Sequence, residues 1–209
     1  SNSFIHNEKQ SRVSFGANWE KGTVSDIFRD HISRFRSLLT SDEHDDSIEK
    51  LENGEIPKLR ALQLHNGTVY KWNRVCYGVG DGKPHLRIEC RYIPSGPTLI
   101  DEIANMVFWV GLMIGQPEEY KNIETKMDFK DIKNNFFKAA RNGMETQFKW
   151  NNKSLSAQDL ILQEFLPIAK KGLQKANIDD GEITKYLSVI ERRAMSKNGS
   201  QWMVDNYRN

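Results

Sequence analysis

The stretch Pro84–Asp101, PHLRIECRYIPSGPTLID, constrains the fold of this chain more than any other. Read as a strand, it places His85, Arg87, Glu89 and Arg91 on one face and Leu86, Ile88, Cys90 and Tyr92 on the other, because side chains alternate with period two. One face is then a charge row and its back is core. Successive members of the row stand ~6.6 Å apart at a rise of ~3.3 Å per residue, so one carboxylate fits between two guanidinium groups. A row of this kind can hold a metal-bound phosphate. Pro94, Gly96 and Pro97 stop the strand, and Thr98 with Asp101 reads as a capping box for the apolar run that follows.

The sheet to which this strand belongs falls within residues 57–93. Leu59–Leu64, Val69–Cys76 and His85–Ile93 are three strands by pattern, separated by Asn66-Gly67 and by the Gly78–Gly82 turn. Both connections are short, so antiparallel pairing is expected. The Gly-rich turn ends in Lys83, but Pro84 and a strand follow where a phosphate-binding loop needs a helix N-terminus, so it reads as a hairpin turn.

The flanks are helical. Residues 4–22 form an extended lead-in with Phe15 and Trp19 as anchors. From Thr23, capped with Asp26, apolar residues recur at helical spacing to Leu39. The acidic run Ser41–Asp46 is a solvated loop, and Ser47–Asn53 gives two turns at most. Leu99–Met113 is apolar nearly all round, which predicts a central buried helix in which Met106, Trp109 and Met113 pack. Helices are expected over Asp128–Asn142, from the Ser156/Asp159 cap with a kink at Pro167, and over Asp180–Met195. Gln147–Lys153, turning at Asn151-Asn152, is a small hairpin, and Gln201–Tyr207 a terminal turn or two. The expected class is α+β in a single domain: a sheet of about three antiparallel strands, its apolar side on the Leu99–Met113 helix, within a bundle spanning 98–207.

Thirty basic and 28 acidic residues leave a net charge of +2, without the clustered basic excess that nucleic-acid binding needs. No apolar run is long enough for a membrane span. Two cysteines, Cys76 and Cys90, make no disulfide scaffold, and the expected compartment is the reducing cytoplasm. The chain opens Ser1-Asn2-Ser3 without a methionine, as after tag removal, so sequence upstream is expected.

The polar groups that could carry chemistry concentrate near the proposed sheet: His65, Thr68, Arg74, Arg87, Glu89 and Arg91. Each alone has a structural explanation. A Glu flanked by Arg on a strand is commonly a cross-strand ion pair, and a His beside Asn-Gly is commonly a turn residue.

Together these residues carry a resemblance. From Leu59 through Gly111, His65, Thr68 and Arg74, then Ile88-Glu89-Cys90-Arg91, then Gly96-Pro97 leading into a long helix resemble the C-terminal half of the glutamate-cysteine ligase superfamily, in its carboxylate-amine ligase-like branch. The likeness extends from about Val13 to the C-terminus. It implies ATP-dependent phosphorylation of a carboxylate such as that of glutamate, followed by attack of an amine such as that of cysteine on the acyl phosphate. By that resemblance Glu89 is a magnesium ligand, Arg91 and Arg74 are catalytic, and His65, Thr68 and Arg87 contact substrate or nucleotide. Carboxylate oxygen suits Mg2+, and a guanidinium fork suits phosphate. Such ligases also carry an N-terminal half with a metal-binding Glu-x-Glu pair. This chain contains no Glu-x-Glu, so catalysis is expected to require an N-terminal half of the same polypeptide. The alternative is a non-catalytic module that binds a ligand or partner on the same scaffold, and an exposed sheet edge would offer a homodimer contact.

Overall fold

The computed structural model describes residues 11–41 and 46–208. Most of the acidic run expected as a loop lies outside them. The class is α+β, with helices and small two-stranded sheets. The chain divides into two compact units, Ser1–Ile93 and Pro94–Asn209, each described by itself.

In the first unit, β1 (Val13–Ser14) is followed by α1 (Val24–Arg34), α2 (Ser47–Glu52), α3 (Arg60–Thr68), β2 (Tyr70–Lys71), β3 (Asn73–Gly80) and β4 (Lys83–Cys90). Thr23 and Asp26 form the expected capping box, but α1 ends at Arg34 rather than Leu39. Phe35 turns extended there and is 1% exposed.

Three expectations for the sheet need correction. Leu59–Leu64 is not a strand: Arg60–Thr68 is helical, entered from Leu59 at a left-handed φ of 50°. Ala61, Leu62, Gln63 and Leu64 are strong helix formers without branching at Cβ, and no β-branched residue interrupts the chain before Thr68. Val69–Cys76 is split, with β2 pairing in parallel with β1 and not within a three-stranded antiparallel sheet. The Gly-rich segment is mostly strand: β3 runs through Gly80, and Asp81-Gly82, both at positive φ, make a two-residue turn into β4.

The hairpin register sets Arg74 opposite Glu89, Cys76 opposite Arg87 and Gly78 opposite His85. The charge row exists, but its back is not core. Leu86 and Ile88 are 56% and 47% exposed, while Cys76 on the polar face is buried. It is the polar face that α3 covers, with Asn66 Nδ2 donating to Val75 O at 2.8 Å and Arg74 Nη1 to Asn66 O at 3.1 Å.

In the second unit, α4 (Leu99–Gly115) precedes α5 (Phe129–Asn142), the hairpin β5 (Gln147–Trp150) and β6 (Lys153–Ser156), α6 (Ala157–Asp159), α7 (Leu166–Lys175), α8 (Asp180–Met195) and α9 (Gly199–Arg208). Thr98 caps α4 and Ser156 caps α6, as expected. Asn151 and Asn152 turn the small hairpin at positive φ. The chain is continuously helical from Ala157 to Lys175 but winds as a π-helix over Leu160–Phe165, a widened turn immediately before Pro167, which supplies no backbone N–H to the ladder.

Helix α4 packs on α7 and α8, but it is not buried all round. It buries Ala104, Gly111 and Gly115, whereas Met106 and Met113 stay exposed. The reason is close backbone approach: a Cβ on Gly111 would lie 2.6 Å from Ala169 O, and one on Gly172 2.5 Å from Gly115 N. The small-residue stripe therefore faces α7. Arg193 of α8 clamps the start of α4, donating to Asn105 Oδ1 at 2.7 Å and Asp101 Oδ1 at 2.8 Å.

Candidate functional site

A cavity of about 430 Å³ opens between α3 and the polar face of the β3–β4 hairpin. Four cationic side chains line it, Lys58 and Arg60 at the entry to α3, Arg74 from β3 and Arg87 from β4, together with His85. Its described lining contains no Asp or Glu. Phe28 and Tyr77 add aromatic surface, and Tyr77 is held by its hydroxyl donating to Pro57 O at 2.8 Å. Gln63 Nε2 donates to Lys58 O at 2.7 Å, fixing the backbone from which Lys58 reaches in.

Gly78 makes room for two of the lining side chains. A Cβ there would lie 2.7 Å from both Arg87 Nη1 and His85 Nε2, so the bare backbone of β3 lets both side chains lie across it. They touch each other at 3.2 Å. Asn66 anchors the other wall, and its Oδ1 is buried without a hydrogen-bond partner among the described residues.

The six residues singled out in the sequence separate into two groups. Arg74, Arg87, Glu89 and Arg91 come together on the hairpin. Arg74 Nε lies 2.8 Å and its Nη2 2.5 Å from the same oxygen, Glu89 Oε2. Arg91 Nε stands 4.0 Å from that oxygen, and its guanidinium covers the Tyr70 ring at 3.9 Å from the centroid. Arg91 Nη1 is buried with no hydrogen-bond partner among the described residues. Arg74 and Arg87 reach the cavity; Glu89 and Arg91 stand beside it.

His65 and Thr68 hold α3 to the rest of the unit instead. His65 Nε2 donates to Phe35 O at 2.6 Å, bridging to the residue that ends α1. Thr68 Oγ1 donates to His65 O and accepts from Arg12 Nη1 at 2.9 Å. Neither residue lines the cavity.

Sequence reasoning missed Lys58, Arg60 and Gly78. Lys58 precedes the segment read as a strand and Arg60 is its second residue; that segment is instead the first turn of α3, and both side chains line the cavity from there. Gly78 lies in strand β3 and not in the expected turn; its signal is a glycine two residues beyond Cys76, within an alternating pattern.

Magnesium finds a poor fit. No group of three His, Cys, Asp or Glu side chains comes together among the described residues. The Glu89 carboxylate is already engaged by Arg74. A hard divalent ion at this carboxylate needs oxygen donors from elsewhere. Comparison with family models, with curated proteins and with solved structures gives no match for this chain.

Proposed function

We propose that the cavity binds the anionic part of a small substrate, a phosphate or carboxylate, and that the chain is the C-terminal portion of an ATP-dependent carboxylate-amine ligase. The observation that carries the reading is the convergence of Lys58, Arg60, Arg74 and Arg87 on one cavity whose described lining has no acidic residue. Phosphoryl transfer to a carboxylate asks little covalent work of a protein. It asks for cations placed around the phosphate oxygens, and fixed guanidinium groups meet that demand with bidentate hydrogen bonds. The resemblance of the motifs between His65 and Pro97 supports the same reaction class, with glutamate or another carboxylate, an amine such as cysteine and ATP as substrates. In this reading catalysis needs an N-terminal half to supply metal-binding carboxylates.

A second reading, a non-catalytic anion-binding module, draws support from the Arg74–Glu89 ion pair, which occupies the one carboxylate expected to hold metal.

Calorimetric titration of the chain with ATP, pyrophosphate and glutamate, against adenosine as a neutral control, tests the shared part. Binding of the anions alone is expected, with Arg87→Ala weakening it about tenfold, as for the loss of one charge-assisted hydrogen bond of ~1.5 kcal/mol. Equal binding of adenosine and ATP would refute it. Release of ADP by the chain joined to an N-terminal half, dependent on glutamate and an amine and lost in Arg91→Ala, separates ligase from module.

A further inference from the structure

Among the described residues β4 has a strand neighbour on one side only. Arg91 N–H donates to Trp72 O at 2.9 Å, one step beyond the Asn73–Cys90 pairing. Alternation along an antiparallel ladder then turns the backbone groups of His85, Arg87 and Glu89 toward β3, and those of Leu86, Ile88 and Cys90 away from it. The outward groups form a free edge, and the Leu86 and Ile88 side chains beside it are half exposed.

We infer that this edge pairs, antiparallel, with β4 of a second copy of the chain, centred on Ile88. The strand is self-complementary about that residue. Arg87 of each copy faces Glu89 of the other, Leu86 faces Cys90, and Ile88 faces its own counterpart. The backbone parity agrees: positions 86, 88 and 90 are the outward-facing ones, giving about six interstrand hydrogen bonds. Arg87 and Glu89 fall at non-hydrogen-bonded positions, where opposite side chains approach most closely. Glu89 then lies between Arg74 of its own chain and Arg87 of the second copy. Other registers do worse. Centring on Leu86 sets Pro84, which has no N–H, opposite Ile88, and centring on Cys90 runs past the end of β4. The one pairing that brings no complementary charge is His85 against Arg91, at the outer limit of the ladder.

The contact is isologous, so it closes as a dimer and does not propagate from this edge. An eight-residue edge covers less than the ~1,000 Å² of a stable interface, so association is weak and depends on concentration.

Sedimentation velocity over a roughly hundredfold concentration range in the micromolar regime tests the inference. The 209-residue chain is expected to shift from monomer to dimer. Ile88→Pro removes one outward N–H at an edge, where proline leaves the β3 pairing intact, and should weaken the dimer at least tenfold. Leu86→Lys, at an exposed site, should do the same without touching the backbone. In Leu86→Cys a short thiol cross-linker should join position 86 of one copy to Cys90 of the other. A wild-type chain that stays monomeric, a dimer undiminished in both variants, or cross-links that avoid the 86–90 pair would overturn the proposal.

Discussion

Gly78→Ala separates the fold from the cavity in a single substitution. Alanine in a strand interior is favoured over glycine by about 0.5–1 kcal/mol, because the unfolded chain has less freedom to lose. Against this, the new Cβ would stand 2.7 Å from Arg87 Nη1 and from His85 Nε2, well inside contact distance. Both obstructing atoms are the ends of exposed side chains, so they can swing aside, at roughly 0.5 kcal/mol for each side chain pushed off its preferred rotamer. The two effects nearly cancel, and stability should move by less than ~1 kcal/mol. Anion binding should not be spared. Arg87 is displaced from the cavity, and one lost charge-assisted hydrogen bond of ~1.5–3 kcal/mol weakens binding tenfold to a hundredfold. Urea denaturation and calorimetric titration with pyrophosphate on the same preparation read the two quantities. Loss of more than about 2 kcal/mol of stability would mean that Gly78 is required by the backbone. Unchanged affinity would mean that Arg87 and His85 do not serve the cavity.

Gly172→Ala should have the opposite outcome. Helix propensity favours alanine by about 1 kcal/mol, but the obstructing atoms belong to the α4 backbone, so overpacking should leave a net loss of about 1–3 kcal/mol on thermal or urea denaturation. Glu89→Gln leaves the Arg74 guanidinium, whose side chain is 15% exposed, without its counter-charge and should cost about 1–3 kcal/mol, with Arg74→Met/Glu89→Gln recovering part of it in a double-mutant cycle. Burial pushes the His31 imidazole down to about 4, with Lys71 adding repulsion, so the folded chain resists a proton that the unfolded chain accepts near pH 6.5. Its effect on stability is absent above that pH, and the loss accumulates as pH falls from 6.5 to about 4, reaching roughly 3 kcal/mol. His31→Gln should flatten the urea-midpoint profile in that window, and an unaltered profile would place the imidazole in water.

What could be read from the sequence was what neighbouring residues settle among themselves. Thr23 with Asp26, Thr98 and Ser156 begin helices because each cap needs only a hydroxyl and the next turn of backbone. Asn151-Asn152 turns a hairpin because both residues tolerate positive φ. Asp180–Met195 holds its expected bounds because Asp179 supplies the N-cap immediately before them and the apolar spacing runs the whole length. The segment from Leu59 failed this test. Leu62 and Leu64 fit an alternating pattern, and nothing local weighs that pattern against the helical preference of residues not branched at Cβ. The parallel pairing of Val13 with Tyr70 depends on contacts across 57 positions and leaves no local trace.

The hairpin shows most clearly where such reading stops. Alternation correctly grouped His85, Arg87 and Glu89 on one face, but it is silent on which face the chain covers. Apolar content favoured the Leu86–Ile88 side. The structure covers the charged side, because Asn66 at the end of α3 offers both a donor to Val75 O and a carbonyl to Arg74, satisfying two polar groups that would otherwise lose water unpaired. Replacing Asn66 with Leu should therefore do more than remove two hydrogen bonds. It should release α3 from the hairpin and open the cavity to solvent, raising amide exchange throughout β3 while β5 and β6 keep theirs. Exchange confined to residues adjoining Asn66 would show instead that the cations hold the cavity's shape without it.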